Sequence, residues 1–233
     1  YDNAGDIDMI VIRENTEGEY ANVGGFLYEN FKDEVAVQSG VFTRHGIERV
    51  VRYAFELARK RNGKKRLASI TKSNAQAYGM VLWDRIFSEV ALEYPDITTE
   101  SLLVDAACMN FIRRPESFDV VVASNLFGDI LTDIGAQITG SMGLAASANI
   151  NPEGVSMFEP SGGTAPGFEG KGEINPLAAI GAAAMMLATL GENPAGAAVA
   201  KAVGQIAGSL PSLRAAEMGA STSEVGDRVA TLV

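Results

Sequence analysis

Short apolar runs alternate with stretches whose apolar positions recur every three or four residues, and this alternation organises the first half of the chain. Residues 8–13 (DMIVIR) read as a buried strand, and residues 34–42 (EVAVQSGVF) alternate as a half-buried strand does. Thr43 stands where a helix N-cap belongs, ahead of Ile47, Val50, Val51, Ala54, Phe55 and Ala58 at helical spacing. A basic loop containing Gly63 leads to a strand at 67–71, and a helical pattern over 75–93 stops at Pro95. A strand near 98–104, a helix over 108–113 and an apolar strand at 119–123 follow. Repeated strand–helix–strand order predicts a parallel or mixed sheet covered by helices.

The second half has a different texture. Residues 124–149 begin helical and then become rich in Gly, Ser and Ala, and residues 151–175 carry Pro and Gly throughout, as a long ordered loop does. Alanine-rich helices are expected at 176–190 and 195–210, with a last short helix capped near Ser221 or Thr222.

Composition narrows the function classes. The 233 residues are 47% apolar, enough for one large or two smaller cores, and the net charge is −10. A pI near 4.7 argues against a nucleic-acid or anionic-membrane surface, which needs clustered basic charge. No apolar run reaches membrane-spanning length. Cys108, the single cysteine, makes no internal disulfide, which suits a reducing cytoplasm. The chain opens on Tyr1 and soon enters a strand-like run, reading as if it starts mid-protein.

The acidic charge is uneven: from Asp119 onward there are 4 basic against 11 acidic residues. Most of these carboxylates suit a solvated surface. Asp129 and Asp133 invite another reading, because a helix would bring them to one face, one turn apart among Leu126, Phe127, Ile130 and Leu131. Two like charges there repel unless a cation lies between them. Asp105, after the apolar run LLV, is a third candidate oxygen donor, and such a set suits Mg²⁺ or Mn²⁺. His45 is the only histidine, so a histidine-rich zinc site is excluded.

Acid–base candidates stand after strands. In RENTEGEY, Arg13 can clamp a carboxylate bidentately and Tyr20 can donate a proton, with Glu14, Glu17 and Glu19 beside them. In TKSN, Lys72 and Asn74 follow a strand, and the lysine can act as a general base. The loop FEPSGGTAPGFEGKGEINP matches neither GxGxxG nor a P-loop, yet its backbone N–H groups can face phosphate or ribose oxygens.

In combination, RENTEGEY, TKSN, LLVDAACMNF, SNLFGDILTDIGAQITGSMGLAASANI and EPSGGTAPGFEGKGEINP resemble the metal-dependent β-hydroxyacid oxidative decarboxylases, in register over nearly the whole chain. That family includes isocitrate, 3-isopropylmalate, homoisocitrate and tartrate/D-malate dehydrogenases, and RENTEGEY with VFTRHGIERVVRYAFELARKR is most similar to the tartrate/D-malate branch. The resemblance implies an α/β, isopropylmalate dehydrogenase-like fold of two domains, with mixed sheets flanked by helices and a β arm for dimerisation near residues 19–42. Residues 1–139 would be the small domain and 140–233 the C-terminal half of the nucleotide-binding domain. The first part of that larger domain, about 110–120 residues, would be missing.

The resemblance further implies that Asp129 and Asp133 hold Mg²⁺ or Mn²⁺, with Asp105 supplied by the partner of a homodimer. Arg13 would bind a carboxylate of a 2-hydroxy dicarboxylate. Lys72, also the partner's, would help deprotonate the hydroxyl as hydride leaves for the nicotinamide, and Tyr20 would protonate the enolate left by CO₂ loss. Asn74 would lie near the nicotinamide, while Gly162, Gly163, Thr164, Ala165 and Asn175 would hold the adenosine end. The family's usual His-Gly-Ser-Ala-Pro-Asp core is here Gly162, Gly163, Thr164, Ala165, Pro166 and Gly167, which lacks the histidine and the ribose-binding acid. NAD follows from the branch, with NADP left open. The rival reading is a non-catalytic regulatory or metabolite-binding homologue acting as a dimer subunit.

Overall fold

The structure, a computed structural model, describes residues 7–233. Its contacts divide the chain into two compact units, one up to Gly135 and one from Ala136. The first unit is built on strands β1 (Ile10–Arg13), β4 (Arg66–Thr71), β5 (Thr98–Leu103) and β6 (Val120–Ala123), which form one all-parallel sheet in the order β1-β6-β4-β5. Between them run α1 (Arg44–Arg61), α2 (Gly79–Ala91) and α3 (Val104–Arg113), and β6 feeds α4 (Asn125–Ile138). Strands β2 (Gly18–Leu27) and β3 (Val35–Val41) pair antiparallel as a separate two-stranded ribbon.

The all-apolar run Val120–Ala123 is completely buried, as a strand covered on both faces must be. On α1 the apolar positions read from the sequence are buried, and Thr43 Oγ1 accepts the Gly46 N–H at 3.0 Å, closing the helix as an N-cap. Phe55 stacks between Phe87 and Tyr94, with ring centroids at 5.5 and 4.6 Å. Trp83, which is fully buried, donates its indole N–H to Ser69 Oγ at 2.9 Å, so the largest core side chain leaves no orphaned donor.

Two helix starts lie four residues from those expected. Helix α2 starts at Gly79 rather than 75, because Ser73 and Asn74 belong to a turn in which Ala75 and Gln76 donate to the Lys72 carbonyl. Helix α3 starts at Val104 rather than 108, so Asp105 lies in a first helical turn, where a carboxylate complements the helix dipole.

The second unit is simpler. Strands β7 (Ala146–Asn149) and β8 (Met157–Pro160) form an antiparallel pair, and β8 interrupts the stretch expected to be loop. Helices α5 (Leu177–Thr189), α6 (Asn193–Ala207) and α7 (Thr222–Ala230) surround a core of Leu177, Ala202, Ile206, Met218, Val225 and Val229. Close approach of α5 and α6 depends on Gly196, whose missing Cβ would stand 2.9 Å from the Ala184 carbonyl oxygen. Ser221 and Glu224 make a reciprocal capping box on α7.

Candidate active site

In a parallel sheet all strands end on the same edge, and that edge is where α/β proteins bind ligands. Here Arg13 ends β1, Lys72 follows β4, Asp105 follows β5, and Asn125 and Asp129 follow β6. The strand order keeps these groups in two adjoining sets, one on β1 and β6 and one on β4 and β5.

In the first set, Arg13 Nη1 donates to Asp129 Oδ1 at 2.7 Å, while Nε and Nη2 donate to Asn125 Oδ1 at 2.9 and 2.6 Å. The Tyr20 ring lies 5.5 Å from the guanidinium carbon, within cation–π range. In the second set, Lys72 Nζ donates to Asp105 Oδ1 at 2.7 Å, and this bond holds the Asp105 carboxyl below its ordinary value. Asn74 is exposed in the turn just beyond.

The loop carrying Arg13 and Tyr20 is tied down by carboxylates. Glu14 is buried, and its oxygens accept from Thr16 N–H and O–H, Glu17 N–H and Arg49 Nη2 at 2.6–2.8 Å. Burial pushes this carboxyl up, and those four donors outweigh it and hold it below its ordinary value. Glu17 accepts from the N–H and hydroxyl of Thr43, where a side chain at Gly46 would collide with it. Glu19 faces the start of α4, accepting the Leu126 N–H at 3.4 Å.

Asp129 and Asp133 stand one turn apart on α4; Arg13 already supplies a positive partner to Asp129 Oδ1, and the other carboxylate oxygens suit a hard divalent cation. Among the described residues no three His, Cys, Asp or Glu side chains come together as a metal-holding group, so Asp105 of the same chain does not join this pair. Burial raises the Cys108 thiol, so this cysteine is no poised nucleophile.

In the second unit, Gly162, Gly163, Thr164 and Ala165 lie in successive turns after β8, with left-handed backbone at Gly163 (φ 57°) and Ala165 (φ 47°). Asn175 is buried, its Nδ2 donating to the Leu213 carbonyl and its Oδ1 accepting the Leu177 N–H, both at 3.0 Å. Its amide therefore closes the start of α5. Glu14 is named in the sequence only as a neighbour of Arg13 and Tyr20, and Asn125 and Gly128 are not singled out there at all, although both lie in the same NLFGD run as Asp129.

A parallel α/β sheet with Arg13, Lys72, Asp105 and Asp129 gathered at its carboxyl edge is the arrangement of an α/β protein that binds a small molecule there, and comparison with known proteins makes the family specific. The isocitrate/isopropylmalate dehydrogenase family model matches residues 1–229, and the chain belongs to that family. It is 52% identical over 189 residues to D-malate dehydrogenase (decarboxylating) of Escherichia coli, covering 80% of this chain and 52% of that protein. It is 46% identical over 228 residues to a probable tartrate dehydrogenase/decarboxylase of Bacillus subtilis, covering 96% and 63%. To 3-isopropylmalate dehydrogenase of Thermobifida fusca it is 48% identical, covering 98% and 64%. Among solved structures, isocitrate dehydrogenase from Methylococcus capsulatus superposes with a TM-score of 0.88 at 35% identity, covering 97% of this chain and 67% of that one. The chain thus spans about half to two-thirds of the length of the curated relatives it matches.

Proposed function

We propose that this chain provides the catalytic edge of an NAD-linked, Mg²⁺- or Mn²⁺-dependent dehydrogenase that oxidatively decarboxylates a 2-hydroxy dicarboxylate such as D-malate or tartrate. The observation that carries this reading is the sorting of the edge into two cation–carboxylate pairs, Arg13–Asp129 beside Tyr20, and Lys72–Asp105. These are the two sets that a shared site would draw from different subunits of a homodimer. A second copy is also favoured by the ribbon, where Phe26, Leu27, Tyr28, Phe31 and Val37 are all more than half exposed. The working location of such an enzyme is the cytoplasm.

Arg13 binds one substrate carboxylate and so orients the C2 hydroxyl. Lys72 of the partner takes the hydroxyl proton as C2 is oxidised to a ketone, and a bound nicotinamide would supply the hydride acceptor. General-base work by Lys72 requires that its ion pair to Asp105 open first. The bond from C3 to its carboxylate then breaks, CO₂ departs, and the electron pair stays as an enolate that Tyr20 protonates at C3. Asp129 and Asp133, with the partner's Asp105, would hold a divalent cation, which would supply Lewis acidity to the oxidation and decarboxylation. Asn74 would contact the nicotinamide of such a cofactor, and the turns at Gly162–Ala165, with Asn175, would contact its adenosine.

The test is Mn²⁺-dependent formation of NADH or NADPH by the full-length protein with D-malate, tartrate, 3-isopropylmalate and isocitrate. Turnover of D-malate or tartrate with NAD is expected. Glycine at positions 162 and 167, where a histidine and an acid were expected, favours the second reading, a non-catalytic dimer subunit. Metal binding without turnover of any of the four acids would establish that reading instead.

A further inference from the structure

Arginine carries five N–H donors on a long flexible stem, and gripping a carboxylate end-on requires that the fork be held still. Three of the five Arg13 donors are taken by Asn125 and Asp129, which leaves one N–H on each terminal nitrogen. Asn125 is only 4% exposed and is itself fixed, because its Nδ2 donates to the Glu17 carbonyl at 3.0 Å. That carbonyl comes close because Gly18, at φ 83°, turns the chain against Asn125, where a Cβ would lie 3.4 Å from the Asn125 Cβ. The arginine stem crosses α4 at Gly128, whose missing Cβ would stand 2.7 Å from Arg13 Cγ and 2.8 Å from Arg13 Cβ. No real Cβ tolerates such distances, so any side chain at 128 displaces Arg13.

We propose that Asn125 and Gly128 position the Arg13 guanidinium: the RENTEGEY and NLFGD motifs are two halves of one arginine cradle that sets affinity for a substrate carboxylate. Asn125 and Gly128 are positioning residues that need touch neither substrate nor cofactor. Gly128 gives the stem room, Asn125 fixes the roll of the fork through two bonds to one oxygen, and Asp129 fixes its reach.

The substrate half of this inference rests on the reading of Arg13 as the carboxylate clamp, so the test has two arms. In the first, Asn125→Ala and Gly128→Ala are compared in full-length protein with Arg13→Ala and with the two double variants, using D-malate. Each single change should raise KM about tenfold with kcat within about twofold, since a carboxylate held equally in ground and transition states affects binding alone. In the Arg13→Ala background neither should add more than about twofold, because their effect passes through that arginine. Additive effects, or an unchanged KM, overturn the proposal. Gly128→Ala keeps this arm decisive if Asn125→Ala fails to fold, because alanine favours the helix it enters.

The second arm needs no turnover. The Arg13 Nε–Hε NMR signal, assigned by its loss in Arg13→Lys, should exchange slowly with solvent in the native protein and be lost in both alanine variants. Persistence of that signal overturns the cradle itself. If none of the four acids is turned over, the functional reading fails, and this second arm alone decides whether the cradle exists.

Discussion

The carboxyl edge of the parallel sheet and the glycine-rich turns after β8 are both candidate binding regions, and they are built in opposite ways. At the edge, the charged side chains Arg13, Glu14, Lys72, Asp105 and Asp129 are each held by another side chain or by backbone N–H groups. In the turns, backbone hydrogen bonds such as Gly163 N–H to the Pro160 carbonyl carry the shape, and a Cβ at Gly162 or Gly163 would meet nothing within 4 Å. Proton transfer and carboxylate binding need particular atoms preorganised in particular places. Contacts to ribose or phosphate through peptide N–H groups need only a backbone conformation. Substitutions at the edge should therefore be costly in specific ways, and in the turns a side chain should be mild at Gly162 but strained at Gly163, whose backbone is left-handed.

The largest effect expected is at Lys72. Lys72→Ala should lower kcat with D-malate by about 10²–10⁴-fold while circular dichroism and thermal melting stay native, the usual range for loss of a general base. A drop of less than tenfold would remove Lys72 from the chemistry. Asp129→Asn should weaken Mn²⁺ binding by more than about 100-fold in a titration of the purified full-length protein. Unchanged affinity there would sink the ligand assignment.

Effects on stability come next. Glu14→Gln leaves Arg49 without its charged partner and should destabilise the fold by about 2–3 kcal/mol near pH 7, read from denaturant unfolding. Because the Glu14 carboxyl lies below its ordinary value, its ionised form stabilises the native chain. That contribution is complete above about pH 4.5 and is lost as pH falls through the lowered value, so native and variant proteins should converge in acid. A gap that stays constant with pH would mean that packing, not ionisation, is responsible. The smallest effect is expected in the turns, where Gly162→Ala should change stability by no more than about 0.5 kcal/mol. The same glycine-to-alanine change is thus disruptive beside Arg13 and tolerated beside β8.

Much of the edge was legible in the sequence because its parts are periodic or charged. The apolar spacing on α1, the Thr43 cap and the fully apolar strand β6 each announce an element, and Arg13, Lys72, Asp105 and Asp129 stand out as charges after strands. Strand β2 was legible only through the β arm that the resemblance implies, since GEYANVGGFL has two adjacent glycines and a backbone twisted at Asn22 (φ 53°), which break the two-residue alternation. Strand β8 was hidden because it is only four residues, MFEP, inside a Pro- and Gly-rich run, too short for an alternation to show. Asn125 gave no signal because an amide carries no charge and its partner Arg13 lies 112 positions away. Gly128 was silent because its role is the absence of an atom, which only the path of the arginine stem across α4 reveals. Asp105 was recognised as a candidate, but its place on α3 rather than at the strand end reflects a helix starting four residues early.

The central claim is that one site is assembled from the Arg13–Asp129 set of one chain and the Lys72–Asp105 set of its partner. Its most direct test is complementation between two inactive full-length variants, Lys72→Ala and Asp129→Asn, unfolded together in equal amounts and refolded. A two-fold dimer with shared sites leaves one intact site in each mixed dimer, so activity with D-malate should return to about a quarter of the native value. Sites complete within a single chain predict no recovery at all, and that result would contradict the account.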